Sequence, residues 1–175
     1  YCIELSMRNT VIKNFVLISF IAILVTRLIP HPPNFTSTLA LAFYLPVLFG
    51  VKFIIVVMAA FILSDLVIGM HQLVFFTWSS LLLIGFLSEF FKKSYFRPLG
   101  IAISCILFFI ISNFGVWLFS DLYTLNMQGF IACFTMAIPF LQNSLIGTII
   151  FALIIELILS FNKTKTFIKS VNATY

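Results

Sequence analysis

The side chains able to hold a polar solute are few in this chain, and their spacing is regular. Arg27 and His31 lie four residues apart, with Asn34 shortly after. Asp65 and His71 follow. Asn113, Trp117 and Asp121 then recur at i, i+4 and i+8, one stripe of a helix. Tyr123 and Asn143 complete the set. Arginine can meet an anionic group or a carboxylate, the two aromatics can stack on a ring, and asparagine and histidine can donate or accept hydrogen bonds. This is binding chemistry.

Catalytic chemistry has little to stand on. There is no phosphate-binding GxxxxGK loop, no GxGxxG, no HExxH and no GxSxG, so no ATPase or hydrolase is expected. Two histidines are too few for a diiron or haem scaffold. Cys2, Cys105 and Cys133 show neither pairing nor ligand spacing, and they read as small hydrophobes. We expect no enzyme, no catalytic residue, no metal and no cofactor. A gated channel is also disfavoured, since no charged ring or filter-like stretch occurs.

The elements that position these residues follow from composition. The chain is 62% hydrophobic and 9% charged, with 23 phenylalanines and a mean hydropathy of +1.20. A soluble domain has roughly 45–50% apolar and about 25% charged residues. This chain therefore needs lipid as solvent. Its apolar runs are continuous, whereas a barrel would alternate. An all-α, polytopic membrane helix bundle is expected, with spans over 11–29, 36–49, 52–68, 73–91 and 99–119. A short helix over 129–140 and a last span over 143–160 are separated by a break near Pro139 and Gln142–Asn143.

Six spans with both ends inside put nine of the ten basic residues on the cytoplasmic side, with Arg27 the exception. Five or seven spans scatter them. The net charge of +5 is thus topology, with lipid headgroups as partner and no nucleic acid. Residues 1–10 form a cytoplasmic segment, 11–161 the six-helix domain and 162–175 a basic tail. Met7 reads as the initiator, with "YCIELS" upstream of it. A secretory signal is disfavoured because no small-residue cleavage site interrupts the first apolar run. Three N-x-S/T matches, at 34–36, 162–164 and 172–174, carry no information in a chain rich in these residues.

The same topology places Arg27, His31, Asn34, Asp65, His71, Asn113, Trp117, Asp121, Tyr123 and Asn143 on the outer face. An ionisable group inside a span costs about 2.5–3.5 kcal/mol on insertion scales. Arg27 and Asp65 should therefore face the interior and pair. That pair either forms part of an outward-open cavity lined by the first, third, fifth and last spans or simply locks two helices together. Trp117 and Tyr123 have a plain alternative as interfacial aromatics, and His31 and His71 as loop residues. Glu89 and Lys93 are expected to pair at the inner boundary. Glu156 is expected to snorkel or to meet a nearby lysine.

Four stretches carry a resemblance: "RLIPHPPNFT" (27–36), "LSDLVIGMH" (63–71), "SNFGVWL" (112–118) and "IACFTMAIPFLQNSLIG" (131–147). Together they resemble an uncharacterised bacterial membrane family, over most of the chain. In size and layout the family is similar to the substrate-binding S components of energy-coupling-factor vitamin transporters. That resemblance implies a six-helix protein of the bacterial cytoplasmic membrane that captures a small solute, such as a vitamin, in an outward-facing pocket. An ATP-driven coupling module or another membrane protein would be its partner. Two departures matter. The first span lacks the Ala-x-x-x-Ala face by which S components dock to a shared motor. Thr148 also stands where an acidic residue commonly follows the glycine matched by Gly147. The competing expectation is a non-transporting scaffold or accessory subunit.

Overall fold

The computed structural model describes residues 2–161, with side chains from Asn9 onward. The tail over 162–175, with Lys163, Lys165, Lys169 and two of the N-x-S/T matches, lies outside the described residues. So does the side chain of Arg8.

Seven helices and no strand make up the described residues. They are α1 (Cys2–Leu28), α2 (Thr38–Phe49), α3 (Ile54–Ile68), α4 (Val74–Ser88), α5 (Arg97–Phe119), α6 (Met127–Met136) and α7 (Ile138–Ser160). Single 3-10 turns precede α3 and α5 and extend α4. Five stretches are long and apolar enough to cross a membrane: Asn9–Leu28, Val51–Ile68, Val74–Phe91, Ser94–Phe119 and Met127–Ser160.

The sixth expected span differs in kind. α2 has 12 residues, about 18 Å of helix, against a hydrocarbon core of about 30 Å. All twelve are buried. The helix is apolar all round because protein surrounds it, which is the signature of a core helix. It packs on α1, α3, α4, α5 and α7, and α4 is its broadest neighbour together with the α1–α3 and α4–α5 pairs that close around it. Tyr44, Phe43, Leu45 and Leu48 are among the largest fully buried side chains. Gly50, at φ +100°, ends the helix in a conformation that other residues rarely adopt.

Two helix boundaries differ from the expected ones. α1 begins at Cys2, ahead of the apolar span that starts at Asn9, since nothing between Cys2 and Val11 breaks a helix. The last span breaks at Ala137, before Pro139, not at Gln142–Asn143. Pro139 lies in the first turn of α7, where its missing N–H removes no intrahelical bond. Asn126 caps α6, its Oδ1 accepting from Gly129 N at 2.9 Å.

Candidate binding site

The "HPPNF" stretch is a turn with a defined shape. Phe35 N donates to Pro32 O at 3.0 Å. Pro33 and Asn34 are the central residues, and Asn34 has φ +64°. Proline second and a left-handed residue third is the pattern of a type II turn, and asparagine tolerates that backbone better than most residues. The turn brings the end of α1 against the start of α2. There the Thr26 and Ser37 hydroxyls meet at 3.0 Å.

Beneath the turn is a cavity of about 170 Å³. Arg27, His31, Asn34, Thr36, Thr38 and Ser144 give it polar walls, and Leu39, Phe61, Ile68 and Phe108 close it. The walls come from α1, α2, α3, α5 and α7.

Arg27 dominates the cavity. Its Nη2 donates to Asp65 Oδ1 at 2.5 Å, and its guanidinium stacks 3.7 Å above the centre of the Phe61 ring. Asp65 is 2% exposed, and its second oxygen accepts from Trp78 Nε1 at 2.8 Å. Both carboxylate oxygens are thus occupied. The guanidinium carries five N–H donors, yet among the described residues it makes one bond. Nε is buried with no partner among the described residues. The side chain is 16% exposed and lines the cavity, so Asp65 balances its charge while Nη1 makes no bond among the described residues.

The neighbouring groups are polar. His31 Nδ1 lies 2.6 Å from Ile29 O. A carbonyl only accepts, so Nδ1 carries a proton. Thr36 Oγ1 donates to Thr38 Oγ1 at 3.1 Å. Ser144 and Thr38 are both buried.

The other expected residues do not line this cavity. His71 lies in the α3–α4 loop, where its Nδ1 accepts from Leu73 N at 3.2 Å. Asn113 donates to Phe109 O within its own helix at 2.8 Å. Trp117 donates to Thr124 O at 3.1 Å and meets Phe130 edge-on at 5.3 Å. It fastens the α5–α6 corner. Asp121, exposed and at φ +55°, shapes that corner. Tyr123 is half-buried in the same loop, and Asn143 is half-buried on α7 beside Ser144. One expected surface is therefore two: the Arg27 cavity and an α5–α6 corner.

The opposite end of the bundle holds a second arginine–carboxylate cluster. Arg97 Nη1 donates to Glu156 Oε1 at 3.0 Å, and Tyr44 Oη donates to the same oxygen at 2.8 Å. Glu156 thus meets an arginine 59 positions away, while the lysines nearest it in sequence, Lys163 and Lys165, lie outside the described residues. Glu89 pairs with Lys92 at 2.7 Å, not with Lys93, whose ammonium lies over the Tyr95 ring. Cys105 and Cys133 are free and buried. Among the described residues no group of three or more His, Cys, Asp or Glu side chains could hold a metal ion.

A family model matches residues 8–169. The chain belongs to a family of unknown function, DUF6580. Both arginine–carboxylate clusters fall inside the matched stretch. No curated protein and no solved structure matches the chain at a significant level.

Proposed function

We propose that this protein binds a small carboxylate, or a comparable oxyanion, in the Arg27 cavity and carries it inward across the bacterial cytoplasmic membrane. The observation that carries the reading is the Arg27 guanidinium, which lines a polar cavity, is 16% exposed and bonds, among the described residues, to Asp65 alone. Arginine meets carboxylates through two parallel N–H donors, and Asp65 uses one Nη alone. Thr38, Ser144 and Asn34 add hydrogen-bonding groups on the walls.

The volume limits the solute. About 170 Å³ is below the roughly 300–1,000 Å³ of drug-sized sites and close to the ~150 Å³ cavity that holds a benzene. A small acid of micronutrient size suits it. Trp117 and Tyr123 have no place in this site, so ring stacking on them drops out of the reading.

Orientation follows from the basic residues. Lys52, Glu89 and Lys92 share a space at the end opposite Arg27, and with both termini inside that end is cytoplasmic. The cavity then faces outward, the layout that the likeness to S components implies. The missing Ala-x-x-x-Ala face of the first span argues against a shared motor and for a solitary carrier or another membrane partner.

The test is direct. The full chain is purified in mild detergent and denatured, and the released small molecules are identified by mass spectrometry. Proteoliposomes are then assayed for uptake of the acid found. Arg27→Lys, Thr38→Val and Ser144→Leu should each lower uptake while thermal unfolding stays cooperative. Wild-type uptake in all three would overturn the assignment. A stoichiometric protein in place of a solute would favour the accessory-subunit alternative.

A further inference from the structure

A second space, of about 420 Å³, lies between α5 and α7 at the Glu156 end of the bundle. It is a groove. Ile101 and Ala102 form one wall, and Leu145, Ile149 and Leu153 form the other. Leu153 is 64% exposed and Ile149 47%, so the groove opens to the outside of the bundle along α7. From Leu145 to Glu156 it follows about 16 Å of helix, close to the ~15 Å hydrocarbon depth of one leaflet. An extended acyl chain fits that length and that lining.

The polar end of the groove selects a headgroup. Glu156, Tyr44 and Ser94 lie there. Glu156 Oε1 already accepts from Tyr44 and Arg97. Oε2 accepts nothing among the described residues, and the side chain is 39% exposed. Arg97, its partner, is 8% exposed. The exposed member of the pair is therefore the carboxylate. A group carrying N–H donors and positive charge complements it. A primary ammonium has three such donors, a quaternary ammonium has none, and an anionic headgroup would face like charge. The Ser94 hydroxyl, without a partner among the described residues, can donate to the phosphate of the same headgroup.

We propose that the α5–α7 groove is a binding site for a phospholipid with a primary-ammonium headgroup. One acyl chain lies along Ala102 and Ile149, and the ammonium sits on Glu156. The site is separate from the Arg27 cavity and does not depend on what that cavity binds.

The full chain in detergent is titrated with phosphatidylethanolamine, phosphatidylcholine and phosphatidylglycerol of identical acyl chains, and retained lipid is read by native mass spectrometry. Phosphatidylethanolamine should be retained about tenfold better than the other two, the effect of one charge-assisted hydrogen bond. Glu156→Gln should reduce that preference. Ala102→Phe, which fills the groove and leaves the ion pair intact, should lower retention of all three and remove the preference. Thermal unfolding checks that each variant is folded. If Glu156→Gln does not fold, Ala102→Phe decides. Equal retention of the ethanolamine and choline lipids overturns the proposal. So does tighter retention of phosphatidylglycerol, or an unchanged preference in Ala102→Phe.

Discussion

Trp78 Nε1 donates to Asp65 Oδ2 at 2.8 Å, on the oxygen that Arg27 leaves free. The indole ties α4 into an ion pair that otherwise joins only α1 and α3. Trp78→Phe keeps the ring and removes the donor. One oxygen of a buried carboxylate then has no partner, a loss of about 1–3 kcal/mol. Interhelical hydrogen bonds in membrane proteins average about 0.6 kcal/mol, so this one should stand out in thermal unfolding in detergent.

Arg27 and Asp65 should behave as a unit. Arg27→Ala leaves the Asp65 carboxylate without its counter-charge, and Asp65→Ala does the converse. Removing one member of a buried pair costs about 3–5 kcal/mol. The double variant should lose less than the sum of the singles. A double-mutant cycle of unfolding free energies measures this, and simple additivity would show that the pair is not coupled.

Gly100 marks the close approach of α5 to α2. A Cβ there would lie 2.5 Å from the Phe43 ring and 2.8 Å from Phe91. Phe43 is 1% exposed and has no room to turn. Gly100→Ala should destabilise the protein by about 1–3 kcal/mol, the usual range for overpacking. A helix-propensity gain would work in the opposite direction, so a raised melting temperature would refute the contact.

Asn126→Ala should cost about 1 kcal/mol through loss of the α6 cap. Amide exchange localises the effect: protection should fall at Gly129 and in the first turn of α6, while α2 is unaffected.

The positions of the spans were legible because apolar runs are local, and so was the Arg27–Asp65 pair, since two costly opposite charges at the same depth have few other ways to be satisfied. Trp78 was not found, although a tryptophan one turn inside a span signals an N–H that needs an acceptor. The partners of Glu156 were missed for another reason. Arg97 and Tyr44 are 59 and 112 positions away, and no periodicity reaches that far. Lys93 was chosen for Glu89 on ideal helix spacing, but a 3-10 turn at Glu89–Phe91 changes the register and favours Lys92. A break near Pro139 was legible, but it falls at Ala137, with Pro139 in the first turn of the helix that follows. Asn113 and Trp117 share a stripe of α5, yet Trp117 meets α6, and Asp121 lies past the end of the helix at φ +55°. A stripe says which way residues point and not what they meet.

The 12-residue length of α2 sets an order of assembly. A segment of that length cannot settle in a bilayer by itself, where about 20 apolar residues are needed. It must enter as a hairpin with α3, through Gly50 and one turn. Much of what buries it is synthesised later: α4, α5 and then α7, which supplies Glu156 as the acceptor for Tyr44. The centre of this protein is thus among the first parts to be made and the last to be completed. Until the final helix leaves the ribosome, α2 is the segment that quality-control proteases would find unfinished.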